Sequence, residues 1–282
     1  MGRFITVRGV RLHVVERGSG APLILLHGNG SMIQDFETSG LIASASERHP
    51  VIAFDRPGFG HSSRPRARRW SPQEQADMLA EALEQMGVGP ALVLGHSWGT
   101  TIALALALRH PERVRGLVLA SGYYYPTTRP DFAMLATPTT PVISDVLRHT
   151  LLPLLSRVIW PMLLRHIFGP RCVPPAFEDF PREMAVRPSQ IRAAAEETAL
   201  LVGFAHAEKD HYPALAQPVV VIAGGDDRLI DPDTQSAQLD HALADSSLRI
   251  VVGHGHMVHQ TAPEAILDAI DEVERRATAA AA

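Results

Sequence analysis

Short apolar runs return along the chain at intervals, each closed by a turn rich in glycine or polar residues. Leu23–Leu26, Val51–Phe54, Ala91–Leu94, Val114–Ala120, Val219–Ala223 and Leu248–Val252 are apolar almost throughout. That pattern suits strands covered on both faces. Phe4–Val7 and Arg11–Glu16 instead alternate around Arg8-Gly9-Val10 and read as an antiparallel hairpin. Segments of helical length lie between the runs. Ser31–Ser46 is a modest helix; Ser71-Pro72 with Glu74 opens one in capping-box style that runs to Met86 and stops at Gly87. An Ala/Leu-rich helix follows the Ala91 run, and further helices are predicted from about Pro232 to Leu243 and over Ala262–Arg276. From Tyr123 to about Pro213 the alternation lapses into proline-punctuated helical segments with no buried strand. The expectation is an α/β fold: a mostly parallel, twisted sheet of about eight strands with helices on both faces. Residues 1–122 and 213–282 form its core, and residues 123–212 are an inserted helical cap.

Composition narrows the class. The chain has 282 residues, 20% charged and 46% hydrophobic, with a formal net charge of −4. This is globular composition, and the acidic total speaks against a nucleic-acid partner. Its one basic cluster, Arg64-Pro-Arg-Ala-Arg-Arg69, reads as a solvated loop. The single cysteine, Cys172, rules out an internal disulfide and fits a reducing compartment; it reads as a small buried apolar residue. The first 20 residues lack the apolar core of a signal peptide. The most hydrophobic segment, Val142–Phe168, is interrupted by Asp145, Arg148, Arg157 and Arg165, so no membrane span is expected. Cytoplasmic localisation follows as an expectation, and oligomeric state stays open.

The chemistry centres on Gly95-His96-Ser97-Trp98-Gly99. An apolar strand precedes it and a helix follows, the context in which G-x-S-x-G means a nucleophile elbow. Gly60-His61-Ser62 is a decoy, because Arg64 replaces the second glycine and Pro65 blocks a helix start. A serine hydroxyl is a poor nucleophile at neutral pH and needs a base, itself oriented by a third group. Position at strand ends narrows fourteen histidines to His254, His256 and His259, and the acid to Asp226 or Asp227. No dinucleotide or Walker sequence follows a strand, so nucleotides are not implied. The His-x-His pair at 254 and 256 lacks further ligands, and no metal or cofactor is expected.

Five motifs in order carry a resemblance: His27-Gly28-Asn29, Asp55 to Ser62, Gly95 to Gly99, Gly225-Asp226-Asp227-Arg228-Leu229-Ile230, and Gly255-His256-Met257 with Pro263-Glu264 downstream. Together they resemble the α/β-hydrolase fold in its cap-bearing branch of esterases, C–C hydrolases, haloalkane dehalogenases and epoxide hydrolases. The resemblance implies Ser97 as nucleophile, His256 as base and Asp227 as acid. It also implies the backbone N–H groups of Asn29 and Trp98 as an oxyanion hole. Dehalogenases and epoxide hydrolases carry an aspartate at the elbow, so Ser97 disfavours both activities. Asp55 and its loop read as a structural turn.

The expected reaction is acyl transfer to water: a serine hydrolase, carboxylesterase-like, cleaving an ester or related acyl bond of a hydrophobic small molecule. Tyr123, Tyr124 and Trp160 are candidate substrate contacts. Leu151, Leu152, Leu154, Leu155, Ile159, Met162 and Leu163 would line the pocket or form the cap core. Two alternatives remain. One is a C–C hydrolase, which would need an acid-binding cluster such as Arg187 and Arg192. The other is a non-catalytic ligand receptor on the same fold.

Overall fold

Apolar alternation along the strands decides how the layers form. The computed structural model describes residues 2–127 and 141–281. Eight strands form one sheet: β1 (Arg3–Val7), β2 (Val10–Arg17), β3 (Leu23–Leu26), β4 (Val51–Phe54), β5 (Ala91–His96), β6 (Val114–Ala120), β7 (Val219–Gly224) and β8 (Ser246–Val251). Their order is β1-β2-β4-β3-β5-β6-β7-β8. The hairpin β1–β2 and the β2–β4 pair are antiparallel, and every other neighbour is parallel. Ile24, Leu26, Val93, Leu117, Leu119 and Val221 point to one face, and Leu23, Leu25, Leu92, Leu94, Val118 and Val220 to the other. The period of two along a strand buried on both sides produces that division.

Helices cover both faces. They are α1 (Gln34–Thr38), α2 (Leu41–Ala45), α3 (Pro72–Gln85), α4 (Trp98–Arg109), α5 (Pro141–His149), α6 (Leu151–Phe168), α7 (Arg182–Ala185), α8 (Pro188–Glu208), α9 (Gln238–Ala242), α10 (Val258–Thr261) and α11 (Pro263–Ala281). The predicted helix over Ser31–Ser46 is two short ones. Gly40, at φ 75°, breaks it, a left-handed conformation that glycine adopts at little cost. Ser71 Oγ accepts the Glu74 N–H at 3.3 Å and caps α3. Helices α3 and α4 pack on one face of the sheet; α1, α2 and α11 pack on the other.

Between β6 and β7 the described residues are helical, with no strand, and α8 lies against the loops that leave β3 and β4. The seam is polar. Arg56 is fully enclosed; its Nη1 donates to Glu197 Oε1 of α8 at 2.5 Å, and its Nε and Nη2 donate to the carbonyls of His27 and Gly28, both at 2.9 Å. Gln190 accepts the Gly60 N–H at 3.1 Å, and Arg187 donates to the Gly60 carbonyl. Asp55 holds the turn beside them: Oδ1 accepts from Ile33 N–H at 2.9 Å and Oδ2 from His61 N–H at 2.9 Å.

Four expectations change. Cys172 is exposed. Arg64 is not a solvated loop residue, since its side chain is buried and its Nε donates to Glu196 Oε2 at 2.8 Å. Helix α6 is long and apolar enough to cross a membrane by length and composition. Two of the four interrupting charges, Asp145 and Arg148, belong to α5, which leaves α6 itself only Arg157 and Arg165. Finally, Leu151, Leu154, Leu155, Ile159, Met162 and Leu163 neither line a pocket nor form a core. They are exposed.

Candidate active site

The register of the parallel strands brings their carboxyl ends level. Leu26 lies opposite Gly95, His96 opposite Ala120, and Gly224 opposite Val251. The loops that follow therefore emerge at one edge, where ligands of such sheets bind.

Ser97 joins β5 to α4 at φ 52°, ψ −119°, a conformation side chains rarely hold. Its N–H donates to the Ala120 carbonyl at 2.8 Å, which fixes the turn on β6. The flanking glycines are steric requirements. A Cβ on Gly95 would lie 2.6 Å from the Gly99 backbone, and one on Gly99 would lie 2.0 Å from the Leu26 carbonyl oxygen. Within 91–100 Ser97 alone is not buried. The strained turn thus presents one hydroxyl at an otherwise closed surface.

His256 completes the contact. Ser97 Oγ is 3.0 Å from His256 Nε2, and His256 Nδ1 is 2.8 Å from Asp227 Oδ2. A carboxylate only accepts, so Nδ1 carries the imidazole proton and Nε2 is left to accept from the serine hydroxyl. Asp227 is held in turn, because its Oδ1 accepts the N–H groups of Leu229 and Ile230 at 2.8 and 3.0 Å. Its side chain is fully enclosed.

The rival residues are engaged elsewhere. Asp226 is exposed and accepts the Gly253 N–H at 2.9 Å. His254 Nδ1 donates to Thr261 Oγ1 at 2.9 Å while Nε2 accepts from Arg171 at 3.2 Å. Burial and the neighbouring Arg171 hold its pKa below the usual histidine value. His259 Nε2 is 3.1 Å from Asp35 Oδ1, both buried.

The remaining sequence candidates divide. Asn29 follows β3, and Gly28 before it brings that loop close: a Cβ there would be 3.2 Å from Ser97 Cβ. The Asn29 carboxamide donates to the Ala194 carbonyl at 3.1 Å and to Thr198 Oγ1 at 3.0 Å on α8. Trp98 begins α4, where helix N–H groups lack intrahelical acceptors. Its indole is buried and Nε1 has no hydrogen-bond partner among the described residues. Tyr123 is buried, and its hydroxyl accepts the Thr127 N–H at 2.8 Å. Tyr124 is fully buried in the main core, and enclosure raises its pKa. Trp160 stacks on Phe180 at 6.0 Å and packs against a cluster that contains Met32 and Met257, the residue after His256.

Sequence reasoning missed two features. One is the α8 seam. The other is a buried layer behind His256, in which His96 Nε2 donates to the His256 carbonyl at 3.1 Å. Burial lowers the His96 pKa, which keeps that donor neutral. Among the described residues Asp35, His96 and His259 bring donor atoms within 4.8 Å of one another. Asp35 Oδ1 also accepts from Gln260 Nε2 at 2.8 Å, while His96 Nδ1 and His259 Nδ1 have no hydrogen-bond partner among the described residues.

The sequence profile of the alpha/beta hydrolase fold matches residues 21–263. The chain belongs to that family. This alpha/beta hydrolase is 28% identical to haloalkane dehalogenase 2 of Mycobacterium tuberculosis over 284 aligned positions, covering 95% of this chain and 93% of the relative. It is 37% identical over 130 residues to the 2-hydroxymuconate semialdehyde hydrolase of Pseudomonas putida, covering 45% of this chain and 46% of that one. A thermophilic esterase from Thermogutta terrifontis has the same fold, with a TM-score of 0.76 at 21% identity, covering 98% of this chain and 99% of that one.

Proposed function

We propose that this alpha/beta hydrolase cleaves a carboxylic ester or related acyl bond of a small hydrophobic molecule through an acyl-enzyme on Ser97. The observation that carries the reading is the hydrogen-bonded line Ser97–His256–Asp227, with contacts of 3.0 and 2.8 Å. Ser97 attacks the substrate carbonyl as its proton passes to His256 Nε2. Asp227 keeps the imidazole in the Nδ1–H tautomer and stabilises the imidazolium that forms. The backbone N–H groups of Trp98 and Asn29 receive the developing oxyanion, an interaction whose loss costs roughly 10²–10³ in turnover. His256 then returns the proton to the leaving group, and afterwards activates the water that splits the acyl-enzyme.

Halide displacement is disfavoured despite the M. tuberculosis relative, since the elbow offers a hydroxyl and no carboxylate. The Asn29 carboxamide donors are also held by α8. Cleavage of a C–C bond is the second reading, favoured by the likeness to the Pseudomonas hydrolase over 130 residues. Against it, Arg187 donates to the Gly60 carbonyl and Arg192 Nη2 to the Arg64 carbonyl at 2.9 Å. Both guanidiniums are thus tied to backbone carbonyls of the loop after β4, and no contact among the described residues sets them beside Ser97 as a dedicated carboxylate clamp. The insertion 123–212 acts in this proposal as a cap that closes over Ser97 from α8.

Fluorophosphonate labelling with turnover of p-nitrophenyl esters of increasing acyl length tests the reading. Labelling lost on Ser97→Ala, with ester turnover lost in parallel, supports it. Turnover of vinylogous diketones in preference to every ester would favour the C–C reading. An intact protein that takes no label and turns over neither class would favour a ligand receptor.

A further inference from the structure

Helix α6 inverts the usual arrangement of a surface helix. Leu151, Leu154, Leu155, Val158, Ile159, Met162 and Leu163 recur at spacings of three and one, a single helical stripe. That stripe faces out: Leu154 is 61% exposed, Val158 77% and Met162 62%. The polar Ser156 and Arg157 lie to the sides, half-buried. Val146 on α5 adds to the same apolar exposure. Eighteen residues at about 1.5 Å each give a face roughly 27 Å long, more than scattered surface residues would make.

Charge tells what covers it. The whole chain is −4, yet residues 141–172 hold four arginines (148, 157, 165 and 171) and one acid, Asp145, which makes +3. Arg148 is paired with Asp145, and Arg157 with Glu183 of α7 at 2.7 Å, which leaves Arg165 and Arg171. Arg165 Nε donates to the Pro161 carbonyl at 3.3 Å and Arg171 Nε to the Gly253 carbonyl at 3.0 Å, so neither charge meets a carboxylate there. The acids of α8 are all engaged: the buried Glu197 with Arg56, the exposed Glu196 with Arg64 and Glu208 with Gln73. A second copy is a poor fit to this face. Antiparallel pairing would set Arg165 and His166 against Arg148 and His149, and parallel pairing would set Arg165 against Arg165.

The geometry points to α6 as a docking face for an anionic lipid bilayer, lying in the plane of the interface with its stripe among the acyl chains. Arg165 and Arg171, whose guanidiniums meet no carboxylate, reach the phosphate groups. The helix does not cross the bilayer, because its other side packs on the core through Phe168 and Trp160. Docking does not rest on the acyl-transfer reading, and it is read without any reaction.

The test is flotation of the full chain with vesicles of phosphatidylcholine alone, or with roughly one third phosphatidylglycerol. The expected result is co-flotation with the anionic vesicles that weakens as salt is raised. The triple variant Leu154→Glu/Val158→Glu/Met162→Glu should lose at least about tenfold in partitioning. Its circular dichroism and melting should not change, since all three side chains already face water. Arg165→Gln should lose about fivefold on anionic vesicles alone. The proposal is overturned if the wild-type chain ignores anionic vesicles, or if the triple variant floats equally well. A concentration-dependent dimer that only the triple variant abolishes, with no vesicle binding, would assign the face to a second copy and also overturn it.

Discussion

Removing Glu197 gives the sharpest test of how the helical insertion is held. Its carboxylate is fully enclosed and faces the buried Arg56 at 2.5 Å, with Gln75 Nε2 donating to the same oxygen at 3.0 Å. In Glu197→Ala the Arg56 guanidinium keeps the carbonyls of His27 and Gly28 and the Gln75 Oε1 at 3.2 Å, but no charge opposes it. Breaking a buried pair from one side costs about 3–5 kcal/mol. At roughly 2–4 °C per kcal/mol for a domain of this size, melting should fall by roughly 6–20 °C. Urea unfolding gives the free energy directly. Glu197→Gln keeps both acceptor contacts and loses only the charge, so it should fall between wild type and Glu197→Ala. Arg56→Met should cost as much or more, because two buried carbonyls then lose their donors at about 1–3 kcal/mol each. In the double variant the uncompensated charge is gone, so the two losses should be sub-additive. A loss below about 1 kcal/mol for Glu197→Ala, or strict additivity in the cycle, would refute the idea that this pair anchors α8.

Other expectations follow from the site. Asp227→Asn leaves the bonds from Leu229 and Ile230 available but lets the His256 tautomer reverse, and turnover should fall by about 10⁴ with little change in melting. Gly28→Ala puts a Cβ 3.1 Å from His96 Nδ1 and 3.2 Å from Ser97 Cβ; the fold should survive while kcat drops roughly tenfold or more, as the Asn29 N–H is displaced. Acid should act through His27, whose pKa burial and the nearby Arg56 pull down to about 3. Between that value and the unfolded histidine value of about 6.5 the unfolded chain binds the extra proton. The stability His27 contributes is therefore complete above the upper value and lost as pH falls toward the lower one. In His27→Gln the unfolding free energy measured from pH 6.5 down to 4 should be flatter by up to about 1.4 kcal/mol per pH unit, and an unchanged slope would count against this assignment.

The sequence by itself determined the order of the elements and the place of the elbow. Runs such as Leu23–Leu26 and Val219–Ala223 are too short and too apolar to be anything but strands covered on both faces. Gly95 and Gly99 are dictated locally, by a turn in which a Cβ has no room. Period, caps and turns are written in neighbouring residues, so they can be read in order.

Only the tertiary structure decided which of several equivalent groups meet. Asp226 and Asp227 are adjacent and chemically alike; the turn after β7 points one at the Gly253 backbone and the other at His256. Among His254, His256 and His259 the same loop selects one for Ser97. Arg56 and Glu197 are 141 positions apart, and nothing near either predicts the pairing. Helix α6 is the clearest case. Its apolar stripe is legible as a period, but a period does not say what covers it, and the residues expected to line the pocket or form the cap core face away from the protein. Local rules fix what an element is, but its covered face is a property of what packs against it.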